Sequence, residues 1–96
     1  MKTIDLLYEA IDAYGRIAQI TKAIEEMGEL TVELSKYLNG DCSRYHYIAS
    51  EMADVQIMLK QLELILNNEA EVKASKVYKL QRLHKRLQEM KVGGSE

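Results

Sequence analysis

Nowhere in its 96 residues does the chain carry a proline, and only five glycines punctuate it, so little in the sequence stops a helix once begun. The apolar residues recur three and four apart rather than alternating, which is the helical period. The spacing predicts a first helix from about Thr3, taken as its N-cap, to Ala13, with Gly15 as the break. A second runs from about Arg16 to Leu38, its core stripe being Ile17, Ile20, Ile24, Met27, Leu30 or Thr31, Leu34 and Leu38. Asn39-Gly40-Asp41 reads as a stop and turn. A third helix spans about Ser43 to Leu66, with Ile48, Met52, Val55, Leu59, Leu62 and Leu66 on one face, and Asn67-Asn68 ends it. The fourth runs from about Glu69 to Val92, with Leu80, Leu83, Leu87 and Met90 facing inward. Four helices with short connections predict an all-α fold, an antiparallel four-helix bundle. It forms one domain over residues 1–92, followed by a disordered tail at 93–96.

The third helix also carries a second apolar strip, Ile57, Met58, Leu64 and Ile65. A helix apolar nearly all round is buried on more than one side. In so small a chain the second side is expected to meet another subunit, the alternative being that it packs under the first helix.

With 47% hydrophobic residues the chain can bury one small core and no second one. The formal net charge of −2 argues against a nucleic-acid polymer as partner, because phosphate backbones are bound by a basic excess. Cys42 is the lone cysteine, so no intrachain disulfide forms, and a reducing, cytoplasmic compartment is expected. Residues 1–14 read as an amphipathic helix with Asp5, Glu9 and Asp12 rather than as a basic-then-apolar leader. Lys60, Glu63 and Asn67 interrupt the most apolar stretch, so no membrane span is expected.

The chemistry concentrates in Glu25-Glu26-Met27-Gly28-Glu29 on the second helix and Glu51-Met52-Ala53-Asp54 on the third. Glu26 and Glu29 lie roughly 60° apart around the helix axis, as do Glu51 and Asp54. Met27 and Leu30 flank one pair, Met52 and Val55 the other, so both sit at the edge of an apolar stripe. Across an antiparallel turn centred near residue 40, Glu29 and Glu51 come level. Four carboxylates at one level repel unless a cation lies between them. All-oxygen ligands of this hardness suit Mg²⁺ or Mn²⁺. Eleven glutamates in the chain make one Glu-x-x-Glu ordinary, and acidic helix faces are usually just solvated; the two pairs level across a turn are the more specific signal. Gly28, costly inside a helix, suggests close approach of a helix or ligand to its backbone.

The run from Gln19 to Leu30, followed by Glu51-Met52-Ala53-Asp54-Val55, resembles the MazG-like nucleoside triphosphate pyrophosphohydrolases, whose all-α fold carries Glu-Glu-x-x-Glu and then Glu-x-x-Asp. The likeness covers about Ala18 to Leu66. It implies Glu26, Glu29, Glu51 and Asp54 as Mg²⁺ ligands. Glu25 becomes a group that orients the attacking water or supports the ligands. It further implies cleavage of a (d)NTP to the monophosphate and pyrophosphate in nucleotide-pool housecleaning, by a homodimer or homotetramer. Lys76, Lys79 and Arg82 become candidate phosphate contacts; each is equally readable as a solvated basic face. Neither Cys42 nor His46 nor His84 has a visible catalytic partner, and Tyr37, Tyr45 and Tyr47 suit packing better than base stacking. The competing reading is a non-catalytic, homo-oligomeric helical interaction or regulatory protein whose acidic faces merely solvate it.

Overall fold

The computed structural model describes residues 1–94, and all of its regular structure is helical: α1 Thr3–Tyr14, α2 Arg16–Leu38, a 3₁₀ turn Cys42–Arg44, α3 Tyr45–Leu66 and α4 Glu69–Gly94. Lys2, not Thr3, is the N-cap of α1, and no side chain caps that end. Gly15 turns the chain from α1 into α2 at φ 91°, ψ 155°, a backbone region open essentially to glycine alone. After α2 the Asp41 carboxylate accepts from the Ser43 backbone N–H at 3.2 Å and from the Ser43 hydroxyl. That local capture winds Cys42–Arg44 into a 3₁₀ turn, so α3 begins two residues later than its apolar period suggests. Asn67, in the left-handed conformation at φ 52°, ends α3. The expected tail begins too early, since α4 continues through Gly93 and Gly94; Ser95 and Glu96 lie outside the described residues.

α2 and α3 form the central pair, α1 lies against both, and among the described residues α4 touches only α3. Contacts across α2 and α3 step in opposite directions, from Glu33 with Arg44 to Glu26 beside Glu51 and Asp54, so the pair is antiparallel. The four helices do not close into a bundle within one chain. A compact chain of this length has a radius of gyration of about 12–13 Å, whereas this one measures 17.8 Å and extends 59 × 38 × 24 Å.

The seam between α2 and α3 is not the apolar one that the period suggests. On α2 the buried residues are Gln19, Ala23, Glu26 and Glu33, with Leu30 half-buried among them; on α3 they are Met58 and Gln61. The stripe expected to be core is turned roughly 100° away from this seam. Ile17 is 82% exposed, Ile24 63% and Leu38 84%, and Met52, Leu59 and Leu66 on α3 are about half-exposed. Because the helices are antiparallel, both stripes turn to the same side of the pair, opposite α1. On α4, Leu80, Leu83, Leu87 and Met90 are all exposed, since among the described residues α4 makes few contacts, all of them with α3. Of the second strip on α3, Met58 is buried in the seam, Leu64 and Ile65 are half-buried, and Ile57 lies beside α1. Among the described residues only Leu7, Ala23 and Met58 are buried apolar side chains.

Candidate metal centre

One turn of α2 and one of α3, level across the seam, bring Glu26, Glu51 and Asp54 together. One carboxylate oxygen from each lies within 4.8 Å of the others; Glu26 is buried, Glu51 half-buried and Asp54 the most open. Two oxygens on opposite sides of a Mg²⁺ ion are at most about 4.2 Å apart, twice its usual bond length. Only one pair of the three can be trans across one ion, so the carboxylates would draw closer together to share it. Glu29 lies outside the trio and is exposed, but stands beside Glu51.

The electrostatics of the three groups differ. Glu26 splits its carboxylate: Oε1 accepts from the Lys22 ammonium at 3.1 Å, and Oε2 is shielded from solvent with no hydrogen-bond partner. That hydrogen bond raises the Lys22 pKa above its ordinary value. Glu51 also has a shielded Oε2 without a partner. Burial first, then the like charges of Glu29, Glu26 and Asp54, push its carboxyl above the ordinary range. Two buried oxygens that lack any donor, set among like charges, fit a divalent cation. Loss of hydration without replacement otherwise costs each of them free energy.

Glu25 is exposed and lies on the rim between two recesses along α2. One is an apolar pocket under α1; the other is a cleft whose lining includes Gly28, Glu29, Arg44 and Glu51. Apart from its own helix turn, none of the described residues comes within 4 Å of where a Gly28 side chain would begin, so they do not make the expected close approach. Glu33 and Arg44 close the far end of the seam with two parallel hydrogen bonds of 2.7 Å each, and Arg44 stacks 4.9 Å over the Tyr47 ring. Tyr37 and Tyr45 pair with ring centres 6.0 Å apart, so these tyrosines pack on the turn. Lys76, Lys79 and Arg82 are exposed on α4, and the single chain does not join them to the carboxylates.

Sequence reasoning found the carboxylates and missed the groups that bracket them: Lys22, the Glu33–Arg44 pair, and the buried Gln19 and Gln61. Their signal was present, because Gln19, Ala23, Glu26, Leu30 and Glu33 keep a strict four-three spacing. The apolar stripe beside it, with the same spacing, hid it. Among the described residues no helix is long and apolar enough to cross a membrane. No family model, no curated protein and no solved structure matches the chain.

Proposed function

We propose that this chain is a Mg²⁺- or Mn²⁺-dependent nucleotide pyrophosphohydrolase of the MazG-like kind, cleaving a (d)NTP to its monophosphate and pyrophosphate. The observation that carries the reading is the convergence of Glu26, Glu51 and Asp54, with two of their oxygens buried and unpartnered. These three would hold the cation, and Glu29 beside Glu51 is placed to join them. When bound, such an ion neutralises polyphosphate charge and lowers the pKa of water. Lys22 holds Glu26 in place through Oε1 and leaves Oε2 free for the ion. Glu25, exposed at the rim, accepts the proton from the attacking water as pyrophosphate leaves. A cytoplasmic setting goes with a nucleotide substrate.

The same proposal takes the chain to be a homo-oligomer. A folded monomer of 11.0 kDa exposes about 5,600 Å², but this chain exposes 7742 Å². The excess, about 2,000 Å², is on the scale of a stable interface. It includes the exposed apolar side of the α2–α3 pair. Two such pairs face to face make the four-helix bundle that one chain does not close, and α4 leaves further apolar surface for a tetramer.

The exposed apolar faces equally favour the second reading, a non-catalytic helical interaction protein. Pyrophosphate release separates them. We expect turnover of at least one nucleotide in a broad (d)NTP panel with Mg²⁺ or Mn²⁺, and none in EDTA. Glu51→Gln and Asp54→Asn should abolish it, and Glu25→Gln should lower kcat by about 100-fold or more. Absence of turnover across the panel with both metals would leave the interaction reading.

A further inference from the structure

The carboxylates are not alone on their side of the α2–α3 pair. Next to them, walled by α1, α2 and α3, lies an apolar pocket of about 710 Å³. That volume lies within the usual 300–1,000 Å³ range of small-ligand pockets. Leu6, Leu7, Ala10 and Tyr14 line it from α1, and Ile57 and Met58 from α3. Its polar groups are few. Lys22 and Glu25 stand where the pocket meets the metal centre, and two glutamines, Gln19 and Gln61, contribute from opposite sides of the seam.

Both glutamines are almost wholly buried, 6% and 3% exposed. The Oε1 of Gln61 is shielded from solvent and has no hydrogen-bond donor. A buried amide without a partner is costly to keep, while a leucine of similar volume would pack there without that cost. The amide nonetheless has one property leucine lacks. It sets a donor beside an acceptor in one plane, and a half-turn exchanges the two without changing its shape. Nucleobases carry the same adjacent donor and acceptor on their edges, on a flat apolar ring.

We propose that this pocket is a nucleobase site, with Gln61 reading the donor–acceptor edge of the base and Gln19 supporting it. The apolar walls cover the ring faces, and Lys22 and Glu25 mark the exit toward the carboxylates. The pocket shares Glu25 with the cleft that Glu29 and Glu51 line, and its Lys22 is hydrogen-bonded to Glu26, so the pocket lies next to the carboxylates. This rests on the nucleotide reading above, and assigns base selectivity to residues that play no part in holding the ion.

The test uses the full chain and calorimetric titration with dUMP, dCMP, dTMP, dAMP and dGMP, against base-free 2-deoxyribose 5-phosphate. At least one nucleotide should bind about tenfold more tightly than the sugar phosphate. Gln61→Leu should reduce that preference to near unity while leaving Tm unchanged or raising it, because it removes the orphaned oxygen. Ala18→Leu, at an exposed wall position of the pocket, should weaken binding by narrowing the space, without touching the amides. Equal affinity for nucleotides and sugar phosphate overturns the proposal, as does base preference unchanged in both variants. Base-dependent binding without pyrophosphate release from any triphosphate supports the pocket and sinks the hydrolase. Release of pyrophosphate from deoxyribose 5-triphosphate as fast as from every dNTP does the reverse.

Discussion

Glu26 divides its carboxylate between two duties. Oε1 is held by Lys22, which costs little because the lysine head remains half in water, and Oε2 is left buried and unpaired. With Glu51 in a similar position, the metal-free seam carries two unsatisfied acceptors among like charges. Glu51→Gln removes one charge at nearly constant shape, so in EDTA the variant should melt at or above the temperature of the parent. With Mn²⁺ the order should reverse. A ligand bound only by the folded state adds about 2.7 kcal/mol at a hundredfold excess over its Kd, and the variant should gain much less. Glu9→Gln and Glu71→Gln, on exposed positions, serve as controls. An equal metal response in all four proteins would remove the site. Glu33 behaves oppositely to Glu51. The Arg44 hydrogen bond holds its carboxyl below the ordinary value of 4.5. The stability it contributes is therefore fully present above about pH 4.5 and is lost as pH falls through the lower, folded value. Melting curves between pH 3 and 7 should show the advantage of the parent over Glu33→Gln shrinking on the acid side. A constant gap would assign Glu33 a role other than this ion pair.

At the scale of elements, the helices themselves were legible. With no proline, and stops at Gly15, Asn39-Gly40 and Asn67, the ends of α1, α2 and α3 follow from local chemistry that a sequence displays directly, whereas the start of α3 and the end of α4 do not. Their facing was not. α2 carries two lines of residues at four-three spacing, one apolar and one mostly polar, and periodicity ranks the apolar line first. The structure seats the polar line, Gln19 to Glu33, in the seam and turns Ile17, Ile24 and Leu38 outward. The carboxylates were legible because their spacing is local; Gln61 was not, because its role depends on what α1 covers. α4 poses the same question alone. A helix of 26 residues that touches the body only near its start gains little from packing, and isolated helices are marginal. Leu83→Glu discriminates. On a truly free helix it changes stability by within about 0.5 kcal/mol. Against a second copy it buries a charge and removes a leucine, costing about 2 kcal/mol or more. We expect the larger loss, read as a lowered melting temperature and reduced helical signal.

For the whole molecule, surface decides. An apolar side made of Ile17, Ile24, Leu34, Leu38, Met52 and Leu59 is too continuous for a lone small protein in water. Light scattering at tens of micromolar should give at least twice the 11.0 kDa chain mass, and Tm should rise with protein concentration. A monomeric mass with a concentration-independent Tm would contradict both the shared bundle and the surface argument.

The layered seam also works as an alignment key. From one end it runs ion pair, then carboxylates, Glu33 with Arg44 and Glu26 with Glu51 and Asp54, and beyond them lie the buried Ala23 and Gln19 of α2 and Met58 and Gln61 of α3. Two greasy helices can slide past one another by a heptad and lose little. Here such a slip would set Glu33 against Glu51 and bury Glu26 against Met58, one repulsion and one stranded charge, each far dearer than a missing contact. The hairpin thus carries its own proofreading, and the residues that suit it to chemistry are also the ones that forbid it to close out of step.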